Sequence, residues 1–244
     1  MQEIIKTYLS ETGFSHIDLR AVLIDMDGVL YDSMPFHASA WYEAIASLGI
    51  ACTREEFYMY EGRTGASTID LLFNREYGRS ATDEEKERIY QHKSELFAAK
   101  GTAHPMPGAL DFLCRVKDMG LTPVLVTGSG QKSLLTKLNH DFPGIFAPET
   151  MVTAFDVKYG KPHPEPYLMG LQKAGVAPWQ AIVVENAPLG VEAGTAAQIF
   201  TIAVNTGPLP DKVLLDAGAN LLLPSMRALA SQFDIIYTQL KKSF

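Results

Sequence analysis

Residues 21–27, Ala-Val-Leu-Ile-Asp-Met-Asp, followed by Gly28, constrain this chain more than any other stretch. Four consecutive apolar residues, Ala21–Ile24, read as a strand buried on both faces, as a parallel sheet covered by helices demands. Two carboxylates stand at its C-terminal end. Side chains two apart share a face of a strand, so Asp25 and Asp27 are expected on one side and Met26 on the other, in packing. Gly28 lets the backbone turn away and leaves room above the pair. Ligands of open α/β sheets bind just beyond the carboxyl ends of strands, so chemistry is expected here. Acidic residues also end strands simply as turn formers, and the pair alone does not decide between the two.

A chain of 244 residues suits one large α/β domain, or a core with a smaller one inserted. With 47% hydrophobic and 20% charged residues it has the make-up of an ordinary globular protein. A net charge of −7 and a pI near 5.4 leave no basic footprint, which argues against nucleic acid or an anionic membrane as partner. An acidic protein that binds an anion must do so through local donors or a metal. Cys52 and Cys114 show no metal-binding spacing and are expected to be reduced and packed in the core. No apolar run approaches the ~20 residues of a membrane span. Glu3, Lys6 and Glu11 interrupt any signal-peptide core, so a cytoplasmic monomer is the expectation.

In chain order, Ile4, Ile5, Tyr8 and Leu9 recur at helical spacing before the first strand. From Pro35 to about Lys100 there are helix signals and no buried strand. Pro35 is placed to open a helix that carries Trp41, Ile45 and Leu48 as its apolar stripe and stops at Gly49. Thr53 with Glu56, and Thr82 with Glu85, have capping-box spacing, and Gly78 and Gly101 supply stops. His104-Pro105-Met106-Pro107-Gly108 reads as a return linker, because paired prolines forbid a continuing helix. The chain thus divides into a core of residues 1–32 and 105–244 and an all-helical insert of residues 33–104. Beyond the linker, strands are expected at 123–126, 151–153, 181–184, 199–204 and 221–223. They alternate with helices at 109–119, 133–140, 164–174, 189–197 and 212–217, with a last helix from about 226. Such alternation implies an α/β fold with a doubly wound parallel sheet.

Three more polar segments follow strands. Thr127-Gly128-Ser129-Gly130-Gln131 offers a hydroxyl and free backbone amides at a helix start, a natural phosphate cradle or simply a glycine-rich turn. Tyr159-Gly160-Lys161-Pro162 fixes a lysine in a rigid loop. Glu185-Asn186-Ala187-Pro188-Leu189-Gly190 sets polar ligands, or an Asx-type turn, at another strand terminus.

Taken in order, Asp-x-Asp-Gly, Thr-Gly-Ser, Gly-Lys-Pro and Glu-Asn with a later Gly resemble the haloacid dehalogenase (HAD) superfamily. The insert resembles the C1 cap of its phosphoglucomutase-like subfamily. The resemblance covers about residues 21–230 and implies a Rossmann-like core under a helical cap. It implies Asp25 as a nucleophile that forms an aspartyl phosphate, and Asp27 as general acid and base. It implies Mg²⁺ held by Asp25, the main-chain carbonyl of Asp27 and the Glu185-Asn186 motif, since hard cations prefer oxygens. Thr127, Gly128, Ser129, Gly130, Gln131 and Lys161 would hold the phosphoryl group.

Two departures bear on the substrate. Related phosphosugar enzymes mostly carry Glu-Asp where this chain has Glu185-Asn186, so the metal site has lost a negative charge. In the cap loop Tyr60-Glu61-Gly62-Arg63-Thr64-Gly65, Glu61 stands where sugar-phosphate mutases commonly have Lys, and is expected to restore that charge by reaching the metal. A cap carboxylate there leaves little room for a sugar. His37, Arg63, Tyr90 and Lys93 are candidates to bind the substrate and offset the added charge, Tyr90 and Lys93 sharing a helix face. Gly65 replaces the mutase's phosphate-binding Arg. These features resemble the inorganic pyrophosphatase branch, so the expectation is Mg²⁺-dependent hydrolysis of pyrophosphate. The alternatives are a sugar-phosphate phosphatase or β-phosphoglucomutase, and then a phosphate-binding protein without turnover.

Overall fold

The structure, a computed structural model, describes residues 1–129 and 134–242. Helix α1 (Gln2–Thr12) ends at Gly13 in the left-handed conformation and leads into strand β1 (Ala21–Ile24). Four helices follow: α2 (Met34–Ala46), α3 (Glu56–Met59), α4 (Gly65–Tyr77) and α5 (Asp83–Ala99). Then come α6 (Ala109–Asp118), β2 (Thr122–Val126), α7 (Leu134–Asp141), β3 (Met151–Val152), α8 (Glu165–Ala174), β4 (Ala181–Glu185) and α9 (Pro188–Ala196). The chain closes with β5 (Phe200–Val204), α10 (Asp211–Asp216), β6 (Leu221–Leu223) and α11 (Met226–Lys241). The expected helix at 133–140 starts outside the described residues at Ser133, and the rest of it is α7.

All six strands are parallel, in the order β3-β2-β1-β4-β5-β6. Strand order reverses between β1 and β4, which makes the gap beyond their carboxyl ends the topological switch point where α/β proteins bind ligands. β1 is central, its Ala21–Ile24 paired with 122–125 on one side and 181–184 on the other. Its residues serve two cores. Val22 and Ile24 pack with Ile5, Phe112 and Phe233, while Ala21 and Leu23 pack with Tyr167, Leu171 and Ala193. Truncating a fully buried residue such as Leu23 to Ala would cost about 2–5 kcal/mol.

Strand geometry gives way sooner than the sequence suggested. β1 ends at Ile24, Met26 is buried as expected, and Asp27 forms an isolated bridge with Tyr31. The chain then enters the insert, whose helices enclose their own apolar cluster, including Ile45, Phe57, Ile69, Leu72 and Phe73. Local signals set these helices: a complete Thr82/Glu85 capping box opens α5, Pro35 lies in the first turn of α2, and Thr53 and Glu56 exchange bonds ahead of α3. The two strands of the connection pair with each other, Asp32 N–H donating to the His104 carbonyl at 3.0 Å and Met106 N–H to that of Leu30 at 2.8 Å. Cys114 corrects the cysteine reading, because it is exposed on α6 and only Cys52 is half-buried. Among the described residues no helix is long and apolar enough to cross a membrane.

Candidate active site

Asp25 leaves the end of β1 almost fully buried, its N–H continuing the ladder to the Val184 carbonyl at 3.0 Å. Lys161 Nζ donates to Asp25 Oδ1, to Glu185 Oε1 at 2.6 Å and to the Val126 carbonyl at 3.2 Å. The ammonium also lies 5.1 Å from the ring centroid of Tyr167, whose hydroxyl donates to Glu185 Oε1 at 2.7 Å. Glu185 Oε2 accepts the amides of Asn186 and Ala187. Both oxygens of Glu185 are therefore engaged. Glu185, expected among the metal ligands, holds Lys161 and the turn that carries Asn186.

Asp27 Oδ1 accepts from Ser33 Oγ at 2.5 Å and lies 3.3 Å from His37 Nε2. The other ring nitrogen of His37 is 2.8 Å from Lys93 Nζ, and the ring stacks on Phe97 with centroids 4.1 Å apart. A chain of contacts thus runs from Asp27 through His37 to Lys93, which is only 5% exposed. His37, expected to bind substrate, lines the cavity and joins Asp27 to Lys93 through its two nitrogens.

Glu61 comes down from the loop between α3 and α4. Its two carboxylate oxygens each lie 3.1 Å from Asn186 Nδ2. Asn186 is held above Gly28, where a Cβ would overlap the amide and the backbone φ is +78°. Thr127 is buried after β2, its hydroxyl accepting the Ser129 amide at 3.0 Å. Gly130 and Gln131 of the expected cradle lie outside the described residues.

Between insert and core is a cavity of about 90 Å³. Asp25, Asp27, His37, Glu61, Arg63, Tyr90, Lys93, Gly128 and Ser129 line it, together with Trp41, Tyr60, Thr68 and Phe97. Thr127, Lys161, Glu185 and Asn186 stand behind that wall. The sequence reading missed Ser33 and Tyr167 entirely, since neither lies in a motif. Trp41 was read as core of the insert. Ser33, at the entry to a helix six residues past Asp27, carried the only local signal.

Four carboxylates, Asp25, Asp27, Glu61 and Glu185, thus meet two ammonium groups, Lys161 and Lys93. Burial pushes the Asp25 carboxyl above the usual carboxylate range; Lys161 opposes this, and Glu185 and Asp27 add to it. Burial acts upward on Asp27 as well, but His37, Ser33 and Lys93 outweigh it and hold that carboxyl at about 2. Glu61 is driven well above the carboxylate range by burial and then by Asp25. Lys161 is buried too, yet Asp25 and Glu185 hold it charged.

Two buried polar atoms lack a hydrogen-bond partner among the described residues: Asn186 Oδ1 and Arg63 Nε. An orphaned buried carbonyl oxygen costs about 1–3 kcal/mol. Beside surplus carboxylates, it fits a hard divalent cation such as Mg²⁺, with Asp25, Asn186 and Glu61 as oxygen donors. Among the described residues no group of three His, Cys, Asp or Glu side chains makes a ready cation site. The unpaired guanidinium nitrogen of Arg63 suits an anion.

The family profile of haloacid dehalogenase-like hydrolases matches residues 19–198. Hexitol phosphatase A of Escherichia coli (strain K12) is 34% identical over 186 residues, 76% of this chain and 83% of that protein. The phosphorylated carbohydrates phosphatase of Thermotoga maritima is 31% identical over 207 residues, 84% of this chain and 94% of the relative. A solved structure from Bacteroides vulgatus, provisionally described as a beta-phosphoglucomutase, has TM-score 0.96 and 57% identity, covering 99% of this chain and 98% of its own.

Proposed function

Since the chain belongs to the haloacid dehalogenase-like hydrolases and is a phosphatase or phosphotransferase of that kind, we propose that it hydrolyses pyrophosphate to two phosphates. The observation that carries this reading is the direct contact of Glu61 with Asn186, which draws the cap onto the core beside a cavity of about 90 Å³. Clefts for drug-sized ligands run to roughly 300–1,000 Å³. A cap closed this far fits a small, highly charged substrate.

In the proposed reaction an Asp25 oxygen attacks the nearer phosphorus, and the bond to the bridging oxygen breaks as the aspartyl phosphate forms. Splitting hydrolysis in two replaces one hard step by two easier ones. Asp27, fixed as a carboxylate by Ser33 and His37, takes a proton from the water that cleaves the acyl phosphate; it gives one to a leaving oxygen only after taking it up, which a departing phosphate needs less than a sugar alkoxide does. Lys161, held by Glu185 and Tyr167, lowers the repulsion between carboxylate and phosphoryl oxygens. Arg63 and Lys93 face the departing group. A Mg²⁺ ion held by Asp25, the Asp27 carbonyl, Asn186 and Glu61 would supply further charge neutralisation.

The names of the relatives favour a second reading, a phosphatase of sugar or hexitol phosphates, and back that alternative better than the first. A mutase has less support, because Gly65 occupies the position of the mutase's phosphate-binding Arg. The deciding experiment compares Mg²⁺-dependent release of phosphate from pyrophosphate with that from hexose, pentose and hexitol phosphates. A higher kcat/KM for pyrophosphate supports the first reading. A higher value for any of the sugar or hexitol phosphates replaces it by the second.

A further inference from the structure

We infer that Gly160 is the seat on which the cap closes, and that its lack of a side chain sets how small a substrate the closed site prefers. This inference rests on the small-substrate reading above. Gly160 immediately precedes Lys161 in the core. A Cβ there would lie 2.9 Å from Thr64 Cγ2 and 3.3 Å from the Thr64 backbone nitrogen, inside the ~3.5–4.0 Å of ordinary carbon contact. Two neighbouring glycines lie at the same seam, Gly128 in ordinary contact and Gly62 in a tight one. A Cβ on Gly128 would meet the Gly62 and Arg63 carbonyl oxygens at 3.5 and 3.6 Å, and one on Gly62 would meet Lys161 Cδ at 3.0 Å. Residues 62–64 of the cap therefore lie flat on two core loops.

Thr64 cannot yield alone. It is the N-cap of α4: its hydroxyl accepts the Ser67 amide at 3.2 Å and its carbonyl the Thr68 amide at 3.0 Å. Lifting Thr64 lifts α4 and the loop before it, and with them Glu61. Glu61 has little slack, because its contacts to Asn186 are already 3.1 Å. Of these glycines Gly160 is a clean probe, since its φ is outside the left-handed region that strains other residues. Alanine there would meet the cap and leave its own backbone at rest.

The test is a double-mutant cycle of Gly160→Ala and Thr64→Ser. The serine removes the methyl that meets the new Cβ and keeps the capping hydroxyl. Binding of inorganic phosphate with Mg²⁺ present is measured by calorimetry, and kcat/KM for pyrophosphate and for sorbitol 6-phosphate by phosphate release. A ~1 Å misplacement can cost ~10²-fold, so a lift of a few tenths of an ångström predicts about tenfold weaker phosphate binding for Gly160→Ala. Pyrophosphate hydrolysis should fall more than hydrolysis of the larger ester. Adding Thr64→Ser should return phosphate affinity to within about twofold of wild type, the usual error of additivity. Wild-type affinity in the Gly160→Ala protein, or a loss that Thr64→Ser leaves untouched, overturns the seat. If wild type cleaves only the sugar phosphate, the substrate reading fails, while the phosphate-affinity cycle still judges the seat.

Discussion

Asn186 Nδ2 sits 3.1 Å from both carboxylate oxygens of Glu61, so one amide joins the core to the cap across 125 residues of sequence. The amide can donate to Glu61 while its oxygen stays unpaired, which an aspartate could not do. We expect Glu61→Ala to raise the Mg²⁺ needed for half-maximal activity by at least about tenfold, the range for lost ligand-shell contacts. Asn186→Asp should offset part of that loss. Because the residues touch, the cycle should depart from additivity by roughly 0.5–3 kcal/mol. Additive effects across a Mg²⁺ titration would show that the two do not act together.

Asp25→Asn keeps the shape of the buried carboxyl and removes its nucleophilicity. Turnover should drop by about 10⁴-fold or more, as when a hydrolase loses its covalent nucleophile. Rapid-quench mass spectrometry should find a phosphorylated peptide containing Asp25 in wild type alone. A phosphopeptide elsewhere, or near-normal rates in the variant, contradicts the role.

The second carboxylate should matter according to the leaving group. Proton transfer contributes ~10²–10⁴-fold, most where the departing oxygen is a poor leaving group. Asp27→Asn should therefore slow hydrolysis of a sugar phosphate more than that of pyrophosphate. Equal losses in kcat/KM would remove Asp27 as acid toward the leaving group.

Lys93 gives a pH signature. Burial holds its ammonium down at about 8, below the ~10.4 of an exposed lysine. Folding thus penalises the charged form, in full below pH 8, and the penalty fades as pH rises from about 8 toward ~10.4. The positive charge offered to an anionic substrate fades over the same interval. KM should rise as pH passes about 8 in wild type and stay flat there in Lys93→Met. That variant should also melt higher than wild type at pH 7. A KM rise unchanged by the substitution would locate the titrating group elsewhere.

Gly28→Ala combines two costs. Its φ of +78° penalises a side chain by ~1–2 kcal/mol, and the new Cβ would overlap the Asn186 amide. Chemical denaturation should show a loss above ~1–2 kcal/mol, together with a higher Mg²⁺ requirement for activity. A wild-type midpoint would mean that the turn relaxes freely.

What sequence alone determined here was set within single elements. The unbroken apolar run of β1, the Thr82/Glu85 capping box and the strand-helix alternation after residue 105 follow from local geometry, and they specified the parallel sheet. The four polar motifs at strand ends then specified the family and the place of the site. Tertiary structure decided which faces meet. The packing of α2 against α5 brings His37 to Lys93 across 56 residues, and the packing of α8 on β1 and β2 carries the Tyr167 hydroxyl to Glu185. Glu185 stands beside Asn186 in the sequence, and only the fold shows that Lys161 and two backbone amides share its oxygens. Spacing along a chain tells which side chains share a face of one helix or strand. It carries no information on which other face arrives opposite, because that follows from how the apolar surfaces of the whole chain can be buried at once.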